Sequence, residues 1–151
     1  MLIGVCFQEL KKQVGRDIFM DPISDFFIRI KNAYAAKKER VLVPFSNLKF
    51  KIASELERGG FVQEVGKKKK KVLKSNHLYL DIKLKYKDNG PAMEGLRIFS
   101  SPSRRIYIKS KDIRPVRSGY GMAILSTPKG IMSEKTARKE NVGGELIAEI
   151  W

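Results

Sequence analysis

His77-Leu-Tyr-Leu-Asp-Ile-Lys-Leu-Lys-Tyr86 alternates without a break. Leu78, Leu80, Ile82, Leu84 and Tyr86 fall on one side, and His77, Tyr79, Asp81, Lys83 and Lys85 on the other. Successive side chains of an extended chain point to opposite faces, so this period of two predicts a strand with one face buried. Such a strand needs partners and a cover, and both are legible upstream. Val41-Leu-Val-Pro44 and Phe61-Val-Gln-Glu-Val65 read as further strands. Asp21 suits a helix cap and Pro22 a first helical turn. Ile23, Phe26, Phe27, Ile30 and Tyr34 then recur at helical spacing, with Arg29, Lys31 and Asn32 off that face. A second helix is expected from Ser46, with Leu48, Ile52, Ala53 and Leu56 inward, ending at Gly59-Gly60.

Downstream, lysines 67–71 read as a charged, solvated hairpin loop, and Asp88-Asn-Gly-Pro91 as a turn. Leu96-Arg-Ile-Phe99 and Arg105-Ile-Tyr-Ile108 are expected to pair with each other across Ser101-Pro-Ser-Arg104. Residues 109–117 form a connection with one turn of helix. Beyond it come a strand at 122–126, a polar loop at 126–130, a short strand near Ile131, a helix from about Ser133 to Asn141 and a closing strand at 145–151. The expected fold is α+β in two small subdomains. Residues 20–109 carry helices on a short, mainly antiparallel sheet, and residues 110–151 a three-stranded antiparallel sheet with short helices. Residues 1–19 stand outside as an extension.

The chain has 151 residues, of which 42% are hydrophobic, enough to build a core. Its net charge of +15 comes from 31 Lys and Arg against 16 Asp and Glu. The excess is uneven: +1 over residues 1–19, +12 over 20–109 and +2 over 110–151. So much like charge repels itself in a compact body, and a polyanion is the natural partner. The nearly neutral C-terminal part must act through shaped contacts instead. With one cysteine, Cys6, and one histidine, His77, no intrachain disulfide, cysteine metal site or catalytic constellation is expected. No metal or cofactor is implied. No apolar run reaches membrane-span length, and the apolar start precedes its lysines, the wrong order for a secretory signal. The cytoplasm is the expected compartment.

Ser126-Thr-Pro-Lys-Gly130 is the strongest local signal. Two hydroxyls and an ammonium at a strand end can bond phosphate, ribose and base edges together. Equally, serine and threonine can satisfy their own backbone in a tight turn. Gly119-Tyr-Gly121 and Gly143-Gly144 lack a full nucleotide-loop pattern and read as sites of tight turns or close backbone approach. Glu145, in so basic a chain, has three readings: an acceptor for a base amino group, an orienting partner for a basic side chain, or a solvated strand-start carboxylate. Tyr107 can stack on a base or bond a sugar, and Arg105 shares its strand face. The lysine run, in contact with phosphates, would add affinity without sequence choice.

Asp21-Pro-Ile-Ser-Asp-Phe-Phe-Ile-Arg-Ile-Lys-Asn-Ala33 resembles the opening of the bacterial-type ribosomal protein S-eight family. Arg104-Arg-Ile-Tyr107 resembles its mid-chain motif. Gly119 to Gly130 and Ala137 to Trp151, with the Gly143-Gly-Glu145 motif, resemble its signature end. The resemblance runs from Met20 to Trp151, so residues 1–19 have no counterpart and are either a misassigned start or a genuine arm. It implies two α+β subdomains and no enzymatic activity. It implies direct, early binding to the central domain of small-subunit ribosomal RNA in the bacterial cytoplasm, a plastid being the other setting. It further implies help in assembling the platform, contact with ribosomal proteins S-five and S-twelve as a monomer within the ribosome, and repression of its own operon messenger in some bacteria. The family's RNA-contacting loop falls on Ser126, Thr127, Lys129 and Gly130, with Glu145 beside it. Arg105, Tyr107, Arg29, Lys31 and Asn32 are further contacts. The chain departs at Pro128, where many members carry serine. Proline lacks the hydroxyl and the N–H, and stiffens the loop. The rival reading is a free-standing basic regulator of RNA or DNA.

Overall fold

The computed structural model describes residues 21–72, 75–88 and 90–151. The expected extension, residues 1–19, lies outside the described residues, as does Asn89 of the expected turn. Helix α1 (Pro22–Ala35) starts at Asp21 with proline in its first turn. Asp21 makes no side-chain capping bond, and its carbonyl instead takes the Asp25 N–H at 3.0 Å. Phe26, Phe27, Ile30, Ala33 and Tyr34 are buried at the expected spacing. Strand β1 (Arg40–Pro44) leads into α2 (Asn47–Arg58), which buries Ile52, Ala53 and Leu56. Leu48 departs from expectation: it is 38% exposed, because the first turn of α2 overhangs a cavity rather than the core. Gly60, at φ +77°, reverses the chain into the next strand, a conformation that costs glycine little.

Strands β1, β3 (Ser75–Leu84) and β2 (Val62–Val72) form an antiparallel sheet in the order β1-β3-β2. The lysine run is not a loop. Lys67 pairs with Leu80 and Lys71 with Asn76, within a continuous ladder. Five identical residues show no alternation, so the run hid its period and its partner strand decided its conformation. Strand β3 stops at Leu84. Tyr86 then opens β4 (Tyr86–Lys87), paired with β5 (Gly90–Pro91). Its ring is exposed rather than buried, and its hydroxyl donates to the Lys38 carbonyl at 2.6 Å.

The second sheet contains the three strands expected after residue 110: β8 (Met122–Thr127), β9 (Gly130–Ser133) and β10 (Gly144–Ile150). It gains two more, β6 (Leu96–Ile98) and β7 (Tyr107–Ile108). These do not pair with each other as expected. Both lie antiparallel on β10, with a Ser101–Arg104 bridge in the turn between them. The seven-residue β10 would otherwise present a bare edge, and each short strand closes part of it. The connection to β8 holds two short 3₁₀ turns (Ser110–Asp112 and Val116–Gly119), and α3 (Glu134–Lys139) follows β9.

Strands β8 and β10 are buried on both faces. Met122, Ile124, Ile147, Ala148 and Ile150 join α1, α2 and the first sheet in the larger core. Ala123, Leu125 and Leu146 face a smaller cluster with Ile113, Val116 and Ala137. A bulge between Leu146 and Ala148 adds Ile147 to the larger core. The second sheet is therefore held from both sides, which fixes the row of side chains at its β7–β10–β8 end.

Candidate nucleic-acid interface

At that end, Tyr107, Glu145 and Ser126 stand opposite one another on β7, β10 and β8. Directly paired residues share a face, so the three form one cross-strand row of an exposed phenol, a carboxylate and a hydroxyl. Tyr107 is 71% exposed. Two glycines bring the strands close enough for this row. A Cβ on Gly144 would collide with the Ser126 carbonyl oxygen, and one on Gly143 would stand 2.6 Å from the Ile108 carbonyl oxygen. The reading of Gly143-Gly144 as a close backbone approach matches this geometry.

Arg105 reaches the row from the residue before β7's neighbour. One guanidinium nitrogen donates to both carboxylate oxygens of Glu145, at 2.9 and 3.1 Å. That hydrogen bond first, and the carboxylate charge second, raise the Arg105 pKa further above its ordinary range; Tyr107 and Asp21 add smaller contributions. The Glu145 side chain is only 12% exposed, so it is not the solvated strand-start carboxylate. It orients a basic side chain, one of the readings open from the sequence. Ser126, Arg105 and Glu145 line a small cavity with Asp21, Ile23, Leu48, Ser100 and Ser101.

Ser100 was missed by sequence reasoning. Its hydroxyl donates to the Leu146 carbonyl at 2.7 Å and accepts from the Ile106 N–H at 3.2 Å. It thereby ties the β6–β7 segment to β10 beneath the row. The only signal was a serine-rich turn, which does not name its partner strand.

The β8–β9 hairpin turns through Pro128 and Lys129, closed by the Thr127–Gly130 pair. Proline suits the first turn position, and Gly130 at φ +125° takes a conformation other residues resist. The Thr127 hydroxyl donates to the Gly130 carbonyl at 2.8 Å, so its proton serves the turn. Lys129 meets Glu140 at 3.1 Å in a pair exposed on both sides, an interaction of little strength in water. The loop thus presents an ammonium whose local pairing is easily exchanged.

The structure does not bring the α1 candidates to this row. Arg29 and Asn32 line a separate groove with Lys38 and Arg40, and Arg29 pairs with Asp25 at 2.7 Å. Lys31 is exposed on the same helix and lines neither cavity.

The profile described as ribosomal protein S8 matches residues 21–151. The chain belongs to the ribosomal protein S8 family. A small ribosomal subunit protein uS8 of Mycoplasma mobile is 42% identical over 134 residues, covering 89% of this chain and 98% of that protein. Those of Persephonella marina and Mycoplasmopsis pulmonis are each 46% identical, over 136 and 138 residues, covering 87% and 89% of this chain and 98% of each protein. Membership makes this a structural protein of the ribosome rather than an enzyme. The S8 match begins at the first described residue, Asp21, and takes in every sheet and α-helix of the described residues.

Proposed function

We propose that this chain is a primary RNA-binding protein of the small ribosomal subunit, holding an irregular stem in the central domain of small-subunit ribosomal RNA. The observation that carries the reading is the Tyr107–Glu145–Ser126 row with Arg105 clamped to Glu145. A regular A-form helix hides its base edges in a deep, narrow groove, so discrimination requires a distorted stem with accessible edges or splayed bases. Short polar groups on a rigid sheet suit that task. Ser126 donates to a base edge or ribose, Tyr107 stacks or bonds a sugar, and Arg105 meets a phosphate. Lys129 and the Gly130 backbone approach the same strand of RNA, while Thr127 shapes the turn and offers its remaining acceptor capacity. Arg29, Lys31 and Asn32 contact the RNA backbone at a second place. Residues 110–151 act as the recognition unit, completed by Arg105 and Tyr107 from the end of residues 20–109, and the rest of residues 20–109 supply most of the attraction.

The same reading places the protein in the cytoplasm of a bacterium. There it acts as a monomer beside ribosomal proteins S-five and S-twelve, assisting assembly of the platform. A messenger from its own operon that imitates the ribosomal stem would be bound by the same row, giving translational repression. The test is binding to a central-domain RNA fragment at moderate salt, with an unrelated RNA duplex as competitor. The expected result is retention of the fragment. Equal competition by the duplex overturns the reading.

A further inference from the structure

Beyond Phe45, whose N–H donates to the Leu78 carbonyl, the first sheet narrows to two strands. The ladder continues through Lys69–Leu78, Lys70–His77 and Lys71–Asn76 pairs. The lysine run is therefore a pleated ribbon extending past its third strand, not a solvated loop. Strand geometry sets lysines 67, 69 and 71 on one face and lysines 68 and 70 on the other, with neighbours on a face about 6.6 Å apart. That interval is comparable to the step between successive phosphates of a nucleic-acid strand. The ribbon carries no acidic residue between its tip and Asp81, which stands opposite Gly66. Among the described residues, no carboxylate lies within ion-pair distance of these five lysines. The ammonium of Lys67 is seated over the rings of Phe45 and Phe50, 5.0 and 4.7 Å from their centroids, which anchors the base of the ribbon.

We infer that this lysine ribbon is a further RNA-binding site, apart from the recognition row and from the α1 groove, specific for the phosphate backbone and blind to sequence. It is separate from the Ser126 cavity, whose lining contains no ribbon residue. The two are linked through one element: Leu48 in the first turn of α2 lines that cavity, and Phe50, on another side of the same turn, carries Lys67. One RNA held at both places gains from the raised effective concentration of the second contact. The inference rests on the proposed function only for the identity of the polyanion as ribosomal RNA.

The test uses the full chain. Salt titrations of binding compare it with K68Q/K70Q and K69Q/K71Q, on both the central-domain fragment and an unrelated RNA duplex. Each lysine that meets a phosphate contributes about 0.7–0.9 to the slope of log affinity against log salt. The expected result is a slope lower by roughly 1–2 in at least one pair variant, seen alike on both RNAs. K68R/K70R and K69R/K71R, which keep charge, should keep the slope. Thermal unfolding checks that each variant is folded. Wild-type slopes and affinities in both glutamine variants overturn the inference, and so does an equal loss in the arginine variants. A wild-type chain that fails to prefer the fragment would instead overturn the proposed function, while the duplex titration still judges the ribbon.

Discussion

Glu145 holds Arg105 by two contacts to one guanidinium nitrogen, across 40 residues of sequence. An acidic side chain beside a polyanion site is thereby turned into a positioning group. It fixes where the cation sits, and neutralises part of its charge until a phosphate competes.

Glu145→Gln keeps the shape but weakens the hydrogen bond, and removes the charge, that together raise the Arg105 pKa. Binding of the central-domain fragment is expected to weaken by roughly tenfold, the scale of one charge-assisted hydrogen bond. Binding of an unrelated duplex should hold or improve, since one negative charge is gone. Parallel losses on both RNAs would show that Glu145 has no part in discrimination.

Ser126→Ala deletes a single hydroxyl from the row while leaving the backbone pairing of β8 and β10 intact. The expected cost is about 1–2 kcal/mol against the central-domain fragment, because an RNA group loses its partner. Filter binding or calorimetry on both RNAs reads the difference. An identical affinity loss on the unrelated duplex would count against base or ribose readout here.

Most elements of this fold could be read from the sequence, because their cause is local. Alternation from Leu78 to Leu84, and the helical spacing of Phe26, Ile30 and Tyr34, arise from burial on one face. Partners were less legible. Periodicity marks residues 96–98 and 107–108 as extended, yet nothing in it says that β10, about 50 and about 40 residues on respectively, offers the free edge they cover. The lysine run had no period to read at all. For the site, residue types singled out Ser126, Glu145 and Arg105, but their meeting in one cavity depends on the register of three strands. Arg29 and Asn32 share the chemistry without sharing the place.

Gly144→Ala tests whether the row depends on strand closeness. The added methyl would meet the Ser126 carbonyl oxygen, so β8 and β10 must part. The expected loss of stability is about 1–3 kcal/mol, as for other overpacked sites, read by thermal or urea unfolding. Affinity for the central-domain fragment should fall further than that of Ser126→Ala, because parting the strands pulls the Glu145 carboxylate and its Arg105 away from the Ser126 hydroxyl. A variant as stable and as tight-binding as the wild type would show that the close approach is dispensable.

Tyr34 of α1 ties together the backbone at Phe61 and Lys85 through its buried hydroxyl, and it gives the fold an alkaline limit. The phenol donates to the Phe61 carbonyl and accepts from the Lys85 N–H at 3.2 Å. Burial raises its pKa above the ordinary 10.0, the Lys85 hydrogen bond lowering it only in part. The unfolded chain therefore releases this proton first as pH rises. Below pH 10 the contribution is complete; above it, stability falls as pH climbs toward the folded pKa. Tyr34→Phe should cost about 1–3 kcal/mol at neutral pH, since a carbonyl and an N–H lose their partner. The variant should also lose part of the decline in stability above pH 10, because phenylalanine has no proton to release. Urea unfolding of both proteins at pH 7, 9.5 and 10.5 checks this. The gap between them is expected to be constant up to pH 9.5 and to narrow at 10.5. A gap that stays constant throughout would mean that Tyr34 ionises alike in the folded and unfolded chain.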